Sequence, residues 1–132
     1  MSNLKTQNHN ENLKSEKNNN VRYRAFKFSL AIINFISNIK KNQILSVIFD
    51  QLLRLSTSVG ANLVEAKSSS SKKDFIHFYE IALKSANETL YWLLVLKESQ
   101  LINKEKVKPL ISEIKEISNM IAGSLLTMKN KK

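Results

Sequence analysis

The chain has 132 residues, enough for one domain with a modest core. Two glycines, one proline and no cysteine exclude a turn-rich β-sandwich, a disulfide framework and a thiolate metal site. A net charge of +10 favours a polyanionic partner such as RNA, DNA or an acidic protein.

Residues 1–20, MSNLKTQNHNENLKSEKNNN, contain seven asparagines and carry a net +1. Their apolar surface is too small to offset the entropy of ordering, which predicts a disordered polar tail that includes His9. Residues 21–128 carry +6 and form the predicted bundle, while KNKK at 129–132 carries +3 and reads as a basic C-terminal tail. No stretch has the pattern of a secretory signal. The longest apolar run, LYWLLVL at 90–96, falls far short of the ~20 residues that span a bilayer. The expectation is a cytoplasmic protein with no membrane partner.

Apolar spacing predicts four helices. The first covers about Tyr23 to Lys40, with Phe28, Ile32, Phe35 and Ile39 on one stripe, and KKNQ breaks it. The second covers about Ile44 to Ala66, with Ile48, Leu52, Leu55, Val59 and Ala66 on its stripe. The third begins after the serines, where Ser71 and Asp74 resemble a capping box, and runs to about Glu98. The fourth follows Asn103 and aligns Val107, Leu110, Ile114, Ile117, Ile121 and Leu125. Pro109 requires either a start near Lys108 or an early kink. Short links between long helices impose antiparallel neighbours, so the predicted fold is all-α, an up-down-up-down four-helix bundle.

The third helix is apolar or small from Ile81 through Phe78, Ala82, Phe75 and Tyr79 to Leu83 and Leu94. That is roughly half its circumference, against the ~100° stripe that a surface helix requires. The second helix adds Phe49, Leu53 and Val64 on a flank beyond its main arc. Either both helices are central in one bundle, or the bundle also packs against copies of itself.

Over residues 52–66 only Arg54 and Glu65 are charged. Arg54, Ser58, Asn62 and Glu65 share one narrow polar stripe beside the apolar arc. Antiparallel pairing across the serine loop puts residue 65 near 74, 54 near 85 and 51 near 88, so Arg54 is expected to reach Glu88. The stripe reads either as an ordinary solvated face or as a polar seam that fixes helix register or subunit orientation.

Residues 51–102 resemble the four-helix-bundle protein family associated with 23S rRNA intervening sequences. The resemblance lies in Gln51, Arg54, Ser58, Asn62 and Glu65, then in Ser71, Asp74 and Phe75. It continues through Ile81-Ala82 and through Glu88, Thr89, Tyr91, Trp92 and Leu93. With fainter agreement in the first and fourth helices it extends over about 23–128. The chain departs from the pattern at Ala66-Lys67, where a glycine is usual, and in its Asn-rich tail. The resemblance implies a ring-shaped homo-oligomer, a homopentamer of bundles. It also implies kinship with the basic accessory protein of diversity-generating retroelements, which binds nucleic acid with its reverse transcriptase.

Lys67, Lys72 and Lys73 flank the start of the third helix, where free N–H groups and the helix dipole favour an anion. Asp74 occupies part of that positive end, and the plain alternative is a solvated loop. Arg22, Arg24, Lys129, Lys131 and Lys132 are the other candidates for phosphate contact. Tyr91 has a ring that can stack on a base, whereas Trp92 falls in the apolar arc and reads as core. No catalytic, metal or cofactor site is predicted. His77 and Glu80 reverse the Glu-x-x-His motif of bundle di-iron sites and lack a second such pair. Glu65 and Glu88 have no nucleophile to serve, and Gly60 and Gly123 stand alone. The sequence therefore reads as a non-enzymatic, oligomeric bundle whose basic surfaces bind RNA or DNA as an accessory or scaffold. The alternative is a protein–protein interaction scaffold whose lysines only keep it soluble.

Overall fold

A computed structural model describes residues 20–131. The predicted tail, apart from Asn20, and Lys132 lie outside the described residues. Among the described residues there are four helices: α1 at Val21–Ser37, α2 at Gln43–Ser68, α3 at Lys72–Glu98 and α4 at Lys104–Asn130. Each starts at a residue whose side-chain oxygen accepts a backbone N–H of the first turn: Asn20, Asn42, Ser71 and Asn103. Such caps contribute about 1 kcal/mol each by satisfying donors that the helix itself leaves unpaired. Asn20 was expected in the tail but accepts from the N–H groups of Arg22 and Tyr23 at 2.9 and 3.3 Å. At α3, Ser71 Oγ accepts from Asp74 N–H at 3.1 Å, which is the forward bond of the expected capping box.

Helix α1 packs on α2 and α4, and α3 packs on α2 and α4, with no diagonal packing among the described residues. The four helices thus stand at the corners of a square, in the up-down-up-down order that short links impose. The core runs through the middle. Phe28, Ile32, Leu52, Val59, Leu93, Ile114, Ile117 and Ile121 are all buried. The predicted stripe of α4 is buried at every position, while Ile39 and Leu55 are half-buried. Phe49 belongs to the core rather than to an outer flank, with its ring edge-on to Phe35 at 5.9 Å. Leu94, placed by the sequence in the apolar arc of α3, is exposed instead. Where α1 crosses α2, Gly60 stands against Ala25, so two small residues bring the helices close.

Two boundaries depart from expectation. Helix α4 starts at Lys104 and runs through Pro109 in its second turn, so a start near Lys108 is not found. Proline there lacks the N–H that would have met the Glu105 carbonyl, so the helix forgoes one backbone bond at that turn. Helix α2 runs past Ala66 to Ser68, because no glycine is present to end it, and the turn shrinks to Ser69–Ser71. The α2/α3 pairing lies about one helical turn from the expected one. Residue 85 therefore meets Ser58, with the two hydroxyls 3.1 Å apart, where the sequence had placed Arg54. The 26-residue α2 is long and apolar enough to cross a membrane by length and composition, which the longest apolar run did not suggest. Here its apolar surface is divided between the core and the outer face it shares with α1.

At the end of α3, Gln100 adopts φ 62°, the left-handed region that favours glycine. Gln100→Gly is expected to stabilise the fold by about 1 kcal/mol, read as a rise in thermal midpoint.

Candidate nucleic-acid interface

The bundle brings four helix termini to one end: the starts of α1 and α3 and the finishes of α2 and α4. Arg22, Lys67, Lys72, Lys73, Lys129 and Lys131 are scattered from one end of the sequence to the other, yet all stand there. Lys72 Nζ donates to the Lys131 carbonyl at 2.6 Å, and Lys129 lies 3.3 Å from Glu80 across the α3/α4 seam. Arg22 reaches Tyr79 electrostatically. Burial pushes the Tyr79 phenol above its usual range, and the positive charge of Arg22 pulls it partly back. Arg22, Lys67 and Lys73 form no ion pair with any described carboxylate, and Lys72 meets a carbonyl rather than a carboxylate. Helix α4 continues to Asn130, so Lys129 is fixed on its last turn. Lys132 lies outside the described residues.

Arg24 does not join this group. Its guanidinium forks onto Glu113 at 2.5 and 3.0 Å and lies 3.8 Å from Glu116, which ties α1 to α4. The hydrogen bond to Glu113 outweighs partial burial and raises Arg24 above its usual range. Its charge is answered within the fold and is not free for a phosphate. Glu113→Gln is expected to cost about 1 kcal/mol at low ionic strength and less in high salt, measurable by denaturant unfolding in both.

The polar stripe of α2 is divided by the structure. Ser58 and Asn62 turn towards α3: Asn62 Nδ2 donates to the Ser58 carbonyl at 2.8 Å and to its hydroxyl at 3.0 Å, and Ser58 meets Ser85. Behind them the buried Thr89 donates to the Ser85 carbonyl at 2.8 Å. Arg54 points outward and donates to Gln51 Oε1 at 2.5 Å, with no ion pair to Glu88 among the described residues. Glu88 instead lines a groove with Glu80, Lys84, Tyr91 and Lys129. The one-turn shift in pairing accounts for the missed contact. Glu65 is exposed.

A second basic group is not apparent from the sequence. Lys40, Lys41, Lys97, Lys104, Lys106 and Lys108 gather at the opposite end of the bundle, where the other four termini meet. The signal was present in KK at 40–41 and NKEKVK at 103–108. Carboxylates answer part of this charge, with Lys108 2.9 Å from Glu105 and Lys97 3.9 Å from Glu98. Trp92 is half-buried against the core and Tyr91 is exposed, their rings edge-on at 5.3 Å.

No group of three or more His, Cys, Asp or Glu able to hold a metal ion exists among the described residues. His77 is exposed, its ring 5.8 Å from that of Phe78.

A family model described as 23S rRNA-intervening sequence protein matches residues 17–123. The chain belongs to this family. Its bundle is also similar to the crystal structure of a protein of unknown function from the S23 ribosomal protein family of Bacteroides thetaiotaomicron VPI-5482. The two are 35% identical, with a TM-score of 0.73, and the match covers 80% of this chain and 98% of that one. No curated protein matches the chain. The matched range takes in the first three helices and most of α4, so family membership rests on the whole bundle rather than on one motif.

Proposed function

We propose that this family member is a non-enzymatic, oligomeric bundle that binds RNA or DNA through its basic end, as an accessory or scaffold within a nucleoprotein. The observation that carries the reading is the collection of Arg22, Lys67, Lys72, Lys73, Lys129 and Lys131 at one pole. Arg22, Lys67, Lys72 and Lys73 have no carboxylate partner among the described residues. Cations fixed on helix termini contact phosphates without reading bases, so binding is tolerant of sequence and releases condensed counterions. Assembly into a ring, a pentamer in the family resemblance, multiplies the field of each +10 protomer.

Filter binding of structured RNA and duplex DNA over increasing salt tests the reading. Retention at low salt with a steep fall in affinity is expected. No retention at low salt, or an affinity indifferent to salt, contradicts it. The protein-scaffold alternative predicts partner capture that survives loss of the lysines. Residues 1–19 are proposed as a polar tail outside the bundle domain.

A further inference from the structure

The charge of the bundle is gathered at its two ends. At the first end, Arg22, Lys67, Lys72, Lys73, Lys129 and Lys131 outnumber Glu65, Asp74 and Glu80. At the second end, Lys40, Lys41, Lys97, Lys104, Lys106 and Lys108 outnumber Glu98 and Glu105. The waist between them is close to neutral. There Arg24, Lys27, Arg54, Lys84 and Lys115 stand against Asp50, Glu88, Glu113 and Glu116.

The two ends act independently on a polyanion. Helix α3 has 27 residues, which at its rise per residue separates them by about 40 Å. That is several times the ~8 Å Debye length at physiological salt, so phosphates held at one end do not feel the other. Nor can one duplex serve both. Its persistence length is about 500 Å, so doubling it back over so short a body is prohibitive, and the neutral waist offers no compensating contact. The second end is left for a different segment.

That end is equipped to take one. Lys40, Lys41, Lys104 and Lys106 are exposed and make no ion pair among the described residues. Lys40 and Lys41 stand in the link between α1 and α2, and Lys104 and Lys106 open α4, whose dipole favours an anion. Gln43 and Gln100 add exposed amide donors at the same end, of the kind that meet phosphate oxygens. Because Glu105 answers Lys108 and Glu98 answers Lys97, this is the weaker of the two ends.

We propose that the second end captures a second duplex segment while the first end holds one, so that the protein bridges two nucleic-acid segments. The inference rests on the nucleic-acid reading above and extends it from binding to bridging. The first end sets the affinity for a single duplex, and the second adds the link.

Bead capture with the full chain tests it. A short duplex is fixed to beads at low salt, the protein is added, and a fluorescent duplex of unrelated sequence follows. Wild type is expected to retain the second duplex. A variant carrying Lys41→Glu, Lys104→Glu and Lys106→Glu is expected to bind a single duplex within about threefold of wild type, yet to lose capture by at least about tenfold. Glutamate suits the start of α4, so the helices should persist, which circular dichroism checks. If helicity falls, Lys41→Gln, Lys104→Gln and Lys106→Gln replace them, with the same loss of capture expected. Bridging through the first ends of several associated copies would survive either variant, so retained capture overturns the proposal. A wild type that binds one duplex but never a second overturns it as well. Failure to bind any duplex defeats the nucleic-acid reading and the bridge together, and the single-duplex titration tells that failure from the others.

Discussion

Reversing three charges at the basic pole, with Lys67→Glu, Lys72→Glu and Lys73→Glu, is expected to weaken duplex DNA or structured RNA binding by at least about 100-fold at low salt. The slope of affinity against salt should flatten by about 3 units, one for each phosphate no longer neutralised. The fold should survive. Lys67 stands in the last turn of α2, where a cation suits the dipole and a carboxylate does not. Lys72 and Lys73 open α3, where the sign is opposite and glutamate is welcome. The local effects, favourable and unfavourable, are each about 0.3–1 kcal/mol and therefore offset one another. Reversal of Lys104 and Lys106 at the other pole provides the control. If both sets weaken binding equally, net charge rather than the proposed pole governs it.

The second large effect is structural. Leu52 is fully buried at the centre of α2, and Leu52→Ala should cost about 3 kcal/mol through reduced transfer energy and an unfilled cavity. The thermal midpoint should fall by roughly 10–20 °C. A fall of only a degree or two would mean that α2 is not packed as described. Because the damage lies inside one protomer, unfolding at several protein concentrations should show the same decrement. If copies associate through the α1/α2 face, a substitution there should behave differently, with a decrement that shrinks on dilution as the wild type dissociates too.

The helices, their order and most of the core were legible because 3.6-residue periodicity is written directly in residues such as Val107, Leu110, Ile114 and Ile121. Register was not legible. It depends on how two helices seat against each other after the turn, and Ser58 rather than Arg54 faces Ser85. Partnering of charge was only half legible. Arg24 looks no different from Arg22 in the sequence, yet α1 aims it at Glu113, a residue 89 positions away. Clusters formed by chain ends are hidden for the same reason, which is why Lys104 and Lys106 do not stand out in the sequence.

The breadth of the apolar arcs is written in the sequence, but which of their residues the neighbouring helices cover is not. Phe49 went to the core while Leu53 and Val64 stayed outside. The nearly uncharged stretch of α2 thus has two duties. Ser58, held by Asn62, joins it to α3 at Ser85, and Leu53, Thr57 and Val64 continue an outer face begun by Phe26 and Leu30 of α1.

That outer face makes the mass of the native particle the most direct test of the account. Light scattering of the purified chain at micromolar concentration and moderate salt should give a whole-number multiple of 15.1 kDa, two or greater. A single 15.1 kDa species that persists on concentration would contradict self-assembly and the pooled positive field together.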